Sequence, residues 1–137
     1  MYLSKLEIHG FKSFAHKNSL VFPGIIAGGR RGLTAIVGPN GSGKSNMADA
    51  VRWALGEQSI KTLRGKKSDD IIFSGSDQKS RLGMAEVSLF LNNADGSQNK
   101  KPVMEGEEPE TENQIDTLLA KEEIVITRRI FRDGESE

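Results

Sequence analysis

Cysteine is absent from this 137-residue sequence, which contains one tryptophan and one tyrosine. Without cysteine the chain forms no disulfide framework, no thiolate metal site and no cysteine nucleophile, which suits a reducing compartment. No apolar run approaches the roughly 20 residues of a membrane span, and the N-terminus lacks the apolar core of a signal peptide. We therefore expect a soluble intracellular protein without a membrane partner. The length suits one domain but is short for a complete nucleotide-hydrolysing domain.

Net charge is also lacking, because 19 Lys and Arg balance 19 Asp and Glu. The balance hides an uneven distribution: residues 1–92 contain 13 basic and 7 acidic residues, whereas residues 93–137 contain 6 and 12. A basic first part suits a phosphate-rich ligand or nucleic acid. Solvated surface charge is the alternative explanation.

The most informative stretch is residues 38–45, which read G-P-N-G-S-G-K-S and complete the G-x-x-x-x-G-K-S phosphate-loop pattern. Residues 33–37 form an apolar run that predicts a central strand covered on both faces. After the loop, apolar residues with helical spacing predict one buried helix face, and Gly56 predicts the helix stop. The members of this predicted face are Met47, Ala50, Val51, Ala54 and Leu55.

The residue types in the loop suit a triphosphate. Gly38, Gly41 and Gly43 leave room for successive backbone N–H groups to point inward. Lys44 can reach the β- and γ-phosphates, and the Ser45 hydroxyl can ligate Mg²⁺. The helix dipole adds positive potential at the same place. The alternative is a glycine-rich turn that binds nothing.

Alternating apolar residues predict antiparallel strands before and after the loop and helix. Leu6 and Ile8 share one face of a first strand, and Phe11 and Phe14 after it are expected to fill the core. The other expectations are a second strand at 19–22, a flexible glycine-rich loop at 25–32, an apolar insertion into the core at 70–73, and neighbouring strands at 84–92 and 123–133. Residues 97–121 are acidic and poor in large apolar residues, which predicts a solvated insertion with a short helix at 115–120.

Several further motifs, in order, resemble the N-terminal half of the ATPase head of SMC (structural maintenance of chromosomes) proteins. They are GFKSFA at 10–15, VGPNGSGKSN at 37–46, AVRWALGEQS at 50–59, LRG at 63–65, DDIIFSGS at 69–76, AEVSL at 85–89 and TRRIFRDGESE at 127–137. The resemblance implies an ABC-type α/β P-loop NTPase lobe, with a mixed sheet, an antiparallel β subdomain and a P-loop helix. It also implies an incomplete head, because the C-terminal lobe and the coiled coil that returns it have no counterpart in this sequence.

The same resemblance implies ATP and Mg²⁺ as cofactors. The expected nucleotide-binding residues are Gly38, Pro39, Asn40, Gly41, Ser42, Gly43, Lys44, Ser45, Asn46, Lys12 and Ser13, with Ser45 on Mg²⁺. By the same match, Arg64 belongs to a loop that is linked in this family to the active site and to the response to DNA. The neighbouring basic residues Lys61, Lys66 and Lys67 are DNA-contact or regulatory candidates from composition, which equally allows contact with the nucleotide or a partner domain. The implied partners are the C-terminal lobe, a second SMC head in a homodimer, DNA and kleisin-type accessory subunits, in the cytoplasm at the nucleoid.

In that family the signature motif, the Walker B aspartate and the catalytic glutamate lie in the C-terminal lobe, so no catalytic residue is assigned here. We therefore expect this chain to bind ATP with little or no turnover. Two alternatives remain: another ABC-class ATPase, such as a DNA-repair relative or a transporter subunit, and a non-catalytic DNA-binding or scaffold module with a vestigial loop. Asn46 after the loop serine favours the chromosome and repair branch over transporters.

Overall fold

The computed structural model describes residues 1–26, 30–65, 67–93, 121–133 and 135–137. In chain order the elements are β1 Tyr2–His9, β2 Asn18–Val21, β3 Ile25–Ile26, β4 Arg30–Arg31, helix α1 Lys44–Ala54, a 3-10 turn Ser68–Ile71, β5 Met84–Asn92 and β6 Glu123–Phe131. The four longer strands form one antiparallel sheet in the order β2-β1-β5-β6. Among the described elements, no helix is both long enough and apolar enough to cross a membrane.

The sheet follows from strand alternation, and its predicted strands are confirmed. Leu6 and Ile8 of β1 are buried, as are Val87 and Leu89 of β5, because residues two apart along a strand face the same side. β5 pairs with β6 along nine residues, from Met84 opposite Phe131 to Asn92 opposite Glu123. The predicted insertion at 97–121 and its helix at 115–120 lie outside the described residues, apart from residue 121.

Helix α1 packs against this sheet through a core centred on Trp53. The Trp53 ring is 5.4 Å from the Phe11 ring, and both side chains are buried. Leu63 is also in this core, as are residues 71–73 of the apolar insertion predicted at 70–73, whereas Asp70 is exposed. Phe14 packs partly buried against it. The predicted core roles of Phe11, Phe14 and the insertion are therefore confirmed.

The predicted buried face of α1 is confirmed at four of its five members, since Ala50 and Ala54 are buried and Met47 and Val51 pack partly buried against the core. Asp49, Ala50, Trp53 and Ala54 are its buried members, whereas Leu55 follows the helix and is 63% exposed. The observed arc turns toward the sheet because Trp53 offers the largest apolar surface on the helix. The predicted stop is confirmed, since the helix ends at Ala54 and the Gly56 N–H donates to the Trp53 carbonyl.

Two further expectations need correction. The predicted central strand at 33–37 is not a strand: Leu33 is 97% and Val37 88% exposed, and the sheet of β2, β1, β5 and β6 does not include it. A strand forms only where a neighbour accepts its hydrogen bonds, and no described strand lies beside this segment. The glycine-rich stretch at 25–32 contains a two-stranded hairpin, β3 with β4, in place of the predicted loop.

Candidate nucleotide-binding site

The phosphate-loop sequence leads directly into the N-terminus of α1. Gly43 is the residue before the helix, with φ of 91°, and Gly41 has φ of 82°. These left-handed conformations favour glycine because a Cβ atom would be strained there. The first turn of α1 contains no acidic residue. Its N–H groups and the helix dipole therefore present positive potential, which suits an anion.

Lys44 folds back over the loop. Its Nζ donates hydrogen bonds to the carbonyl oxygens of Gly38 at 2.5 Å and Pro39 at 2.6 Å. Both carbonyls are exposed loop acceptors. The ammonium group therefore lies over the loop, where an incoming phosphate group would compete with these two carbonyls.

Ser13 and Asn46 connect the loop after β1 to the first turn of α1. Asn46 Nδ2 donates to Ser13 Oγ at 2.8 Å. A Cβ atom added to Gly43 would lie 3.3 Å from the same Ser13 oxygen. Ser13 therefore lies against the first turn of α1, and its role toward a nucleotide stays a prediction.

Lys12 is engaged by protein groups. Its Nζ forms a salt bridge with Asp49 Oδ2 at 2.5 Å and also donates to the Leu63 carbonyl oxygen. Its side chain is 11% exposed. A direct contact between Lys12 and a nucleotide would therefore have to replace or extend these bonds.

Arg64 reaches the same carboxylate from the turn that follows α1. Its Nε and Nη2 donate to Asp49 Oδ2 at 2.9 and 2.5 Å, and Nη2 also donates to Asn46 Oδ1 at 3.1 Å. Leu63, the residue before Arg64, is buried in the core and holds the turn in place. Arg64 thus lies beside the start of α1, whereas Lys61 and Lys67 are exposed and Lys66 lies outside the described residues.

Asp49 itself was missed in the sequence. It is 1% exposed, and among the described residues it is the one fully buried residue that carries a charge. Burial raises the pKa of its carboxyl group, but hydrogen bonds and charges from Lys12 and Arg64 outweigh that effect and lower the pKa below its ordinary value. Asn46, Asp49, Ala50, Trp53 and Ala54 have the spacing of one helix face, and this was the signal in the sequence.

An open cavity of about 580 Å³ lies next to the loop. Its lining consists of Lys12, Ser13, Asn46, Arg64, Asp70, Ile72, Phe73, Ser74 and Gly75. Three predicted nucleotide-site residues and Arg64 are therefore brought together. Lys44 and Ser45 are not part of the lining, so the cavity lies beside the phosphate loop and not within it.

The far end of α1 is held by β6. Arg128 Nη1 donates to the carbonyl oxygens of Trp53 at 2.7 Å and Glu57 at 3.1 Å, and its guanidinium lies 5.0 Å from the centre of the Trp53 ring. A cation is favourable at a helix C-terminus, where carbonyl groups lack intrahelical partners. The sheet therefore fixes the helix that carries the loop.

The fold and site define an α/β lobe in which a glycine-rich phosphate loop leads into a helix braced by an antiparallel sheet. Residues 2–137 match the family described as RecF/RecN/SMC N terminal domain, so the chain belongs to that family.

The chain is similar to the Chromosome partition protein Smc of Clostridium kluyveri (strain NBRC 12016). The two are 48% identical over all of this chain and 9% of that protein. The chain therefore spans about a tenth of the length of this curated relative.

Solved SMC heads have the same fold. One of them comes from work on ATP-driven dimerization and DNA-stimulated activation of SMC ATPases. It is 35% identical, the match covers 99% of this chain and 67% of that one, and the TM-score is 0.73. A second is the Smc head domain with an extended coiled coil bound to the C-terminal domain of ScpA, derived from Pyrococcus furiosus. It is 37% identical, the match covers 98% of this chain and 28% of that one, and the TM-score is also 0.73. The predicted fold class and family are confirmed.

Proposed function

We propose that this chain is the ATP-binding N-terminal lobe of an SMC-type ATPase head that acts in chromosome condensation and segregation. The observation that carries the proposal is the intact loop at 38–45, in which Gly41 and Gly43 have left-handed backbone at the N-terminus of α1. Membership of the SMC-containing family supports it.

The loop residues fit a triphosphate with Mg²⁺. The N–H groups of the loop and the first turn of α1 would bind the phosphates, assisted by Lys44, and the Ser45 hydroxyl would ligate the metal. Pro39, Asn40, Ser42 and Asn46 complete the proposed contacts of the loop, with Lys12 and Ser13 close by. Bound Mg²⁺ would neutralise phosphate charge.

In this proposal, some of the groups needed for hydrolysis come from outside this chain. Phosphoryl transfer requires charge neutralisation and a positioned water. The first comes from the loop, and we propose that the second comes from a C-terminal lobe and a second head. Two solved relatives involve ATP-driven dimerization and binding of ScpA, which supports a second head and a kleisin-type subunit as partners.

Calorimetric titration with a nonhydrolysable ATP analogue and Mg²⁺ tests nucleotide binding. Lys44→Ala removes a charged hydrogen-bond donor, so we expect about 10- to 150-fold weaker binding. Lys17→Ala removes the same group from an exposed position outside the loop and is expected to leave affinity unchanged. Absence of saturable binding by the folded wild type would reject the proposal and favour a scaffold module.

DNA contact is the second part of the proposal, since Lys61, Arg64, Lys66 and Lys67 follow one another closely after α1. Contacts to a phosphate backbone release counterions, so affinity for DNA should fall steeply with salt. Replacing the three lysines by alanine should weaken binding to all sequences alike and reduce the salt dependence. An unchanged salt dependence would remove these lysines from the interface.

A further inference from the structure

One buried carboxylate joins three parts of the chain next to the phosphate loop. Asp49 lies in α1, one turn after the helix begins. Its Oδ2 accepts from Lys12, which follows β1, and from Arg64, which follows α1. Arg52 lies 3.5 Å from Oδ1 on the exposed side of the helix. The carboxylate is therefore a shared anchor for cations from separate segments.

The two main partners have unusual backbones. Among the described residues, Lys12 with φ of 49° and Arg64 with φ of 57° are the non-glycine residues with positive φ. Such conformations are strained for residues with a Cβ atom and persist where the surroundings hold them. Both side chains end on the same oxygen atom of Asp49. The carboxylate is thus the common contact of two strained turns.

The anchor is connected to the nucleotide site through Arg64. The guanidinium donates to Asn46, which in turn donates to Ser13, and both of these residues border the cavity beside the loop. Arg64 is half exposed, whereas Asp49 is buried beneath it. The arginine can therefore meet a ligand in the cavity, but the carboxylate cannot.

We propose that Asp49 is a positioning residue, which fixes Lys12 and Arg64 beside the phosphate loop without itself contacting nucleotide. The proposal rests on the proposed nucleotide-binding function. A planar guanidinium held by a carboxylate through Nε and Nη2 loses much of its rotational freedom. Arg64 is then already oriented when the triphosphate arrives, so less ordering opposes binding.

The main test compares Asp49→Asn with Asp77→Asn, the same change at an exposed carboxylate. Affinity for the Mg²⁺-ATP analogue is measured for these variants, for Arg64→Ala and for Asp49→Asn combined with Arg64→Ala. We expect Asp49→Asn and Arg64→Ala each to weaken binding by about tenfold, the double variant to be no weaker than the worse single variant, and Asp77→Asn to match wild type. Additive losses, or no loss in Asp49→Asn, would overturn the proposal.

Amide hydrogen exchange supplies a second readout that needs no nucleotide. Asp49→Asn should speed exchange at least tenfold at residues 11–14 and 61–65 while β5 keeps its protection. Equal protection of both turns in variant and wild type would overturn positioning. If wild type fails to bind the analogue, the proposed function is wrong, and the exchange result still decides whether Asp49 positions the turns.

A variant that keeps the buried carboxylate covers the case in which Asp49→Asn does not fold. Arg64→Lys retains the positive charge but lacks the planar fork that reaches both Asp49 and Asn46. We expect it to lose affinity and protection at residues 61–65 as Arg64→Ala does. Wild-type affinity and protection in Arg64→Lys would show that charge alone suffices and would overturn the proposal.

Discussion

The exposed apolar segment before the phosphate loop gives a prediction with an internal control. Leu33 is 97% exposed and Leu89 is 1% exposed, so leucine-to-alanine substitutions at the two sites make the same chemical change in opposite surroundings. Leu89→Ala removes packed core atoms and should lower the free energy of unfolding by about 2–5 kcal/mol. Leu33→Ala removes atoms already in water and should change it by less than about 0.5 kcal/mol.

Leu33→Ala should have its large effect on the proposed association with a C-terminal SMC head lobe. A partner strand beside residues 33–37 would bury Leu33 and Val37. Because both side chains are almost fully exposed in this chain, nearly all of the free energy of burying them would be gained on association. Leu33→Ala should then weaken association by at least about 2 kcal/mol, roughly thirtyfold in the dissociation constant.

Urea unfolding of the chain and calorimetric titration with a separately expressed C-terminal lobe measure the two quantities. The exposed fraction of Leu33 predicts a small effect in the first and a large effect in the second. Equal destabilisation of the isolated chain by Leu33→Ala and Leu89→Ala would refute the reasoning, because it would require Leu33 to be buried already. Unchanged association would refute burial by the partner lobe.

Three other predictions concern charge and backbone. Because the pKa of Asp49 is lowered on folding, its ionised carboxylate stabilises the fold fully at pH above the ordinary pKa of 3.8, and this stabilisation is lost as pH falls through the lower pKa of the folded state. The difference in unfolding free energy between wild type and Asp49→Asn should therefore narrow as the pH is lowered from above 3.8 through that pKa. Gly10→Ala should cost more stability than Gly56→Ala in urea unfolding: both have positive φ, but only the Gly10 Cβ would meet a backbone oxygen, at 2.2 Å. Arg128→Met should lower the melting temperature by several degrees, since the helix-end carbonyls lose a charged donor worth about 1.5–3 kcal/mol, and an unchanged value would argue against the contact with Trp53.

The strands and the limits of α1 could be predicted because their signals are local. Alternation along residues 84–92 and 123–131 fixes which face is buried, and two such strands pair most readily as neighbours. Gly43 and Gly56 border the helix because each takes a left-handed conformation. None of these inferences needs knowledge of a distant residue.

The remaining features depend on distant partners. Residues 33–37 have the apolar composition of a buried strand, yet composition does not say which neighbour accepts the hydrogen bonds, and no described strand does. The buried arc of α1 includes Asp49 because Lys12 and Arg64 supply compensating charge, and neither is close to it in sequence. The sequence therefore indicates the glycine-rich loop and the helix after it, but not the buried carboxylate of that helix.

The hydrogen bonds that hold both ends of α1 have a consequence for the order of folding. Ser13 bonds to Asn46 at one end, and Arg128 bonds to the Trp53 carbonyl, 75 residues away, at the other. Contacts of such long sequence separation form late, because the intervening chain must first be ordered. We therefore expect helix α1 to form locally and early, and its C-terminal end to be fixed once β6 has paired with β5. During synthesis, the helix that follows the glycine-rich loop would then be held at both ends only after most of this chain had emerged.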